Sequence, residues 1–261
     1  MTTVTAAQGA PDINILDTSD IRLALERGLA DFRRAPAFGL VFGAAFSAIG
    51  IAIAWLLAVR GSFYWVLPLA AGFPLVGPFA AVGLYEVSRR LAAGQPLDWP
   101  GVLGSVWQER RRQLPSIAFV ALFFYLVWVY MAHLVFALSF GLKPLTGILT
   151  SPAILLSPEG LTMLALGTLL GGLLAAALFA VTVIGVPLVV DREIDVVTAM
   201  ITSVRAVAAS PATMLAWGLT VAALSALAML PLFLGMIVAF PVLGHASWHL
   251  YRLAVDPVPG A

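Results

Sequence analysis

Six apolar stretches constrain this chain more than any other feature. They run at roughly 37–59, 64–85, 116–140, 161–190, 212–230 and 232–250. A helix rising about 1.5 Å per residue needs about 20 apolar residues to cross a hydrocarbon core of about 30 Å. Inside lipid every backbone N–H and C=O must be satisfied within the segment, so such stretches fold as helices. Composition agrees: 61% of residues are apolar and 10% charged, with a mean hydropathy of +1.01, against about half and a quarter in a soluble domain. The expected fold is all-α, a polytopic membrane protein with six transmembrane helices. A flexible cytoplasmic N-terminus (1–18) precedes a single membrane domain (19–255) and a short tail (256–261). Residues 1–18 are polar and acidic, without the basic and apolar regions of a signal peptide, so the first anchor is expected to be a retained helix.

Basic residues set the orientation. Arg22, Arg27, Arg33 and Arg34 precede the first span. Arg89, Arg90, Arg110, Arg111 and Arg112 separate the second from the third, Arg192 and Arg205 the fourth from the fifth, and Arg252 follows the sixth. Only Arg60 and Lys143 fall on the other side. The positive-inside rule makes the Arg-rich side cytoplasmic, with both termini inside, and the expected location is a bacterial inner membrane.

The spans group in pairs. "IRLALERGLADFRRAP" (21–36), "WPGVLGSVWQERRRQLP" (99–115) and "IDVVTAMITSVRAVAASP" (194–211) each read as a cytoplasmic amphipathic helix ending at a proline before an odd-numbered span. In the first, Ile21, Leu25, Leu29 and Phe32 share one face and Ser19 or Asp20 is placed to cap; in the third, Val197, Ile201 and Val204 share a face. Each even-numbered span carries a proline among apolar residues, in "FPLVG" (73–77), "VPLVV" (186–190) and "FPVLG" (240–244). The layout predicts three hairpin repeats, at about 19–94, 95–190 and 191–252, each led by its amphipathic helix. Pro74, Pro78, Pro187 and Pro241 are expected to kink their helices; the alternative is that the broken backbone lines a transport cavity. Two GxxxG pairs, Gly39/Gly43 and Gly167/Gly171, are expected to pack helices closely, within the chain first and between copies of it second.

Few residues offer chemistry. Aspartate and glutamate are absent from the middles of the spans, which counts against a proton- or sodium-coupled carrier. There is no GxSxG elbow, P-loop or dinucleotide fingerprint, and Ser247 carries no mark of activation. With no cysteine, thiolate metal sites and iron–sulfur clusters are excluded. His133 reads as part of an interfacial aromatic belt with Tyr125, Trp128 and Tyr130. His245 and His249, one turn apart, offer a divalent-metal pair that Glu86 or Asp191 would complete. The plainer reading of "GHASWHLYR" is a helix ending at headgroup level, with Trp248, Tyr251 and Arg252 as anchors and Arg110, Arg111 and Arg112 anchoring likewise. No cofactor is predicted, while haem or a divalent metal stays open at these three histidines. A net charge of +1 gives no case for nucleic acid.

"PLVGPFAAVGLYEVSRRLAAG" (74–94), "VDREIDVVTAMITSVRAV" (190–207) and "FPVLGHASWHLYR" (240–252) resemble a bacterial family of predicted integral membrane proteins of unknown function, over about residues 15–255. The resemblance implies a multi-pass inner-membrane protein and supplies no catalytic residues. Some relatives bear a label resembling cytochrome c oxidase subunit I, but three histidines cannot furnish such an oxidase core. The expected function is non-catalytic: an accessory or assembly subunit of a membrane complex, respiratory by that analogy, in contact with lipid and a membrane-protein partner. The alternative is a transporter or channel for a small, weakly polar or lipid-like molecule.

Overall fold

The structure is a computed structural model describing residues 11–60, 77, 78, 80–109, 114–141 and 152–255. Most of the expected second span, Pro74, and the basic cluster Arg110, Arg111 and Arg112 lie outside these residues. Among the described residues every regular element is a helix. They are α1 (Thr18–Arg34), α2 (Pro36–Val59), α3 (Val82–Ala92), α4 (Trp99–Glu109), α5 (Leu114–Phe140), α6 (Pro158–Thr182), α7 (Gly185–Asp191), α8 (Val196–Ala209), α9 (Pro211–Met229) and α10 (Met236–Val255), with one further turn at Pro152–Leu155.

Local chemistry explains the boundaries. Asp17, rather than Ser19 or Asp20, is the N-cap of α1. Its carboxylate accepts from the Ser19 and Asp20 amides at 2.6 and 3.3 Å, while the Asp20 carboxylate accepts from the Asp17 amide at 2.8 Å, a reciprocal capping box. Proline opens α2, α6 and α9, where its missing N–H costs nothing. Asp195 caps α8 through the Thr198 amide at 2.9 Å.

Four helices among the described residues are long and apolar enough to cross a membrane: Pro36–Val59, Pro115–Phe140, Pro158–Asp191 and Pro211–Met229. The stretch expected as a sixth span begins later, at Met236, after a turn holding Leu232 and Phe233 at φ 51° and 65°. Its 20 residues include His245, His249 and Arg252, which lower its hydropathy below that of the other four. The long helix 158–191 is interrupted at Val183–Ile184. Pro187 lies four residues beyond Val183, so its ring opposes that carbonyl, and the Ile184 amide donates instead to Ser203 Oγ of α8, 3.1 Å away. Pro241 sits within a continuous α10, and Pro78 lies in a short helical piece before α3.

The tightest packing is not along the apolar helices. Leu84, Ile184, Leu188, Trp248, Leu250 and Tyr251 are all at most 1% exposed and belong to one cluster where α3, α7 and the second half of α10 meet. By contrast α2, α5 and α9 turn much of their apolar surface outward: Trp55, Phe119, Leu126, Leu138 and Leu219 are each more than half exposed. That is the pattern of helices solvated by lipid. α1 and α2 both lie along α10, α5 pairs with α6, α8 covers α6 and α7, and α4 covers α3.

The buried faces of α1 and α8 are built of small and polar residues. On α1 the face against α10 is Ala24, Gly28 and Asp31, with Ile21, Leu25, Leu29 and Phe32 flanking it half-buried. The reason is proximity: a Cβ on Gly28 would lie 2.6 Å from the Ala246 backbone nitrogen, so only small residues fit there. On α8 the buried side is Ala199, Thr202, Ser203 and Ala206, while Val197, Ile201 and Val204 share the outer face, exposed.

Candidate functional site

Two polar features sit beside the packed cluster. The first is a chain of side chains joining three helices. Ser88 of α3 donates to Asp31 Oδ2 of α1 at 2.8 Å and lies 2.8 Å from His245 Nδ1 of α10. His249 Nε2 lies 2.7 Å from the same Asp31 oxygen. Since Ser88 gives its proton to the carboxylate, its oxygen accepts from His245 Nδ1–H, which fixes that tautomer. Ser88 and His245 are fully buried and Asp31 nearly so. Burial opposes ionisation of Asp31, but the hydrogen bonds from His249 and Ser88 outweigh it and hold its carboxyl below the usual range. Among the described residues, Trp248 Nε1 and Ser47 Oγ are buried without a hydrogen-bond partner.

The second feature is a cavity of about 260 Å³ between α3, α4 and the end of α7. Val82, Val106 and Val190 line it together with Glu86, Arg89, Ser105, Gln108, Asp191, Arg192 and Glu193. Glu86 is buried and heavily bonded: Arg89 Nε and Nη2 at 2.8 and 2.9 Å, Arg90 Nε at 2.6 Å and Ser105 Oγ at 3.1 Å. Burial again opposes its charge, and the two guanidinium groups overcome it, holding the carboxyl below its ordinary value. Asp191 accepts from Tyr251 Oη at 2.8 Å and from Arg252 at 3.4 Å.

The residues singled out from sequence fall in different places. His245 and His249 meet Asp31 and Ser88, not Glu86 or Asp191, and no group of three metal-ligating side chains is assembled among the described residues. His133 is exposed on α5, with Nδ1 3.0 Å from the Val129 carbonyl. Trp248 and Tyr251, expected at headgroup level, are inside the protein at 1% and 0% exposure; α3 and α7 cover them, and Trp248 lies over Tyr85 at 6.3 Å. Arg252 is at the surface and reaches Asp191. Gly39 and Gly43 face α10, where a Cβ on Gly43 would overlap the Ile237 carbonyl, the group that Pro241 deprives of its helical donor. Gly171 receives the Trp128 ring of α5, whereas Gly167 has no neighbour within 4 Å of its Cβ position among the described residues.

Asp31 and Ser88 were missed. Asp31 reads as one more charge on a basic helix, yet it continues the small-residue face of Ala24 and Gly28 at a spacing of three, which is the signal that pointed inward. Ser88, between Glu86 and Arg89, carries no such signal.

Residues 66–191 match the model of a family described as predicted integral membrane protein (DUF2189). This is narrower than the 15–255 over which the motifs suggested resemblance, and it includes Glu86, Ser88, Arg89, Pro187 and Asp191. No curated protein and no solved structure matches the chain.

Proposed function

We propose that this integral membrane protein acts without catalysis, as an accessory or assembly subunit of a larger membrane complex. It would sit in a bacterial inner membrane with six crossings and both termini cytoplasmic, as the arginine distribution indicates. One observation carries the reading. Only 11% of the most apolar stretch of α5 is buried within the chain, while Asp31, Ser88, His245 and His249 are tied to one another. A helix so little used by its own fold gives its surface to lipid or to another membrane helix. Extraction in mild detergent, with mass spectrometry of the eluate, tests it. Companion subunits at fixed stoichiometry are expected; migration only as a free monomer would overturn the assignment.

A second reading, a transporter or channel for a small, weakly polar or lipid-like molecule, draws on the cavity and on the interruption at Val183–Ile184 beside it. The natural lack of cysteine makes the check direct. Cysteines placed at Val82, Val106 and Val190 would react with water-soluble reagents from both sides of the membrane in turn if this reading held, and from one side only if it did not.

A further inference from the structure

We infer that the cavity between α3, α4 and α7 is a binding site for a zwitterionic headgroup, one carrying a primary ammonium beside a phosphodiester. Its size comes first. At about 260 Å³ it falls just under the roughly 300–1,000 Å³ of pockets that enclose whole drug-sized ligands. It holds a headgroup and excludes a whole lipid, whose chains would stay in the bilayer beside it.

The lining selects charge. Glu86, Asp191 and Glu193 bring carboxylates to the walls and Arg89 and Arg192 bring guanidinium groups. Among the described residues a net anion would meet these three carboxylates and a net cation these two guanidinium groups, so a molecule bearing both signs is the better match. These groups are held in place before any ligand arrives. Glu86 grips Arg89 by two bonds at 2.8 and 2.9 Å, and Tyr251 holds Asp191. Such bracing lowers the entropy cost of binding. The valines at 82, 106 and 190 add an apolar wall, suited to the glycerol end of a lipid.

A neighbouring joint offers the contrast. α10 and α3 are bridged by α1, and that space is filled by Asp31, Ser88, His245 and His249 bonded to one another. α7 and α4 each pack on α3, and there polar side chains of all three stand around an open volume. The site is independent of whether the protein serves as a subunit or a carrier.

The experiment uses the full chain in vesicles of phosphatidylglycerol, alone or mixed with phosphatidylethanolamine or phosphatidylcholine. Bound lipid is read by native mass spectrometry after mild extraction. Phosphatidylethanolamine is expected to be retained one per chain, ahead of phosphatidylcholine, whose methylated ammonium cannot donate hydrogen bonds to the carboxylates. Arg192→Gln and Glu193→Gln, both at the accessible rim, should each weaken retention by roughly tenfold, the loss of one charge-assisted bond. Thermal midpoints in phosphatidylglycerol alone show that the variants are folded. Competition by soluble glycerophosphoethanolamine would show that the headgroup suffices; retention of the lipid against it would show that the chains also matter. Equal retention of all three lipids, none at all, or indifference to both substitutions would overturn the inference.

Discussion

Asp31 keeps a charge in a place where burial works against it, and the bonds from His249 and Ser88 supply the compensation. A hydrogen bond to a charged group contributes about 1.5–3 kcal/mol, more than one between neutral groups. Asp31→Asn keeps an oxygen that can stand where Oδ2 accepts from Ser88 and His249 but removes the charge. We therefore expect it to lower stability by about 1–3 kcal/mol, read as a fall in the denaturant midpoint in detergent. Ser88→Ala, which removes a neutral link, should cost about 1 kcal/mol. The pH dependence has a definite sign. A carboxyl whose folded pKa is depressed contributes fully above its unfolded value, 3.8 for Asp31 and 4.5 for Glu86, and loses that contribution as pH falls through the lower folded value. The groups facing Asp31 are Ser88 from α3 and His245 and His249 from α10; those facing Glu86 are Arg89, Arg90 and Ser105. The part of acid unfolding that these two carboxyls carry should thus fall below about pH 4, and Asp31→Asn should flatten that part. An Asp31→Asn protein as stable as the parent at pH 7, with the same acid limb, would show that the network contributes nothing.

At the scale of elements, glycine separates helices that touch from helices that face outward. Gly28 lies against the Ala246 backbone, and a methyl group there meets main-chain atoms that cannot rotate away. Among the described residues, nothing lies within 4 Å of where a Cβ on Gly167 would stand. Gly28→Ala should then cost about 1–3 kcal/mol through overpacking, while Gly167→Ala should gain up to about 1 kcal/mol from helix propensity. Thermal midpoints of the two variants moving in the same direction would refute this placement of α1 and α6. Much at this scale was legible. Apolar length located α2, α5, α6 and α9, and proline opened α2 and α9 as anticipated, because these signals are local. The inward faces of α1 and α8 were not, because apolar periodicity tells which residues share a face and not which way that face turns. Where a helix meets lipid on one side and another backbone on the other, the small and polar residues turn in: Thr202 and Ser203 are buried on α8 while Val197 and Ile201 are exposed.

Over the whole molecule, the contacts that matter most join segments far apart in sequence. α1 runs along α10, and the residues before α1 continue across the end of the bundle. The Asn14 amide donates to the Ala254 carbonyl at 2.9 Å, and its side chain donates to Leu253 at 3.0 Å. These bonds satisfy carbonyls at the C-terminal end of α10 that no helical donor can reach. Leu16 bonds to Ser210 through its amide at 2.8 Å and to Thr213 through its carbonyl at 3.0 Å, so residues 14–16 also tie α10 to the start of α9. No pattern within residues 11–17 announces this, since a strap is recognised only by its distant partners. The same gap explains why Trp248 and Tyr251 looked like surface anchors: "SWHLYR" has the composition of a membrane edge, and only α3 and α7 arriving from elsewhere bury it. A chain beginning at Thr18 would lose the Asp17 cap, worth about 1 kcal/mol, and four hydrogen bonds of about 1 kcal/mol each. Its thermal midpoint should fall well below that of the full chain, and a protease should cut near Leu253 and Ala254 sooner than elsewhere in α10. An unchanged midpoint with cutting confined to other segments would mean that α1 alone holds the two ends together.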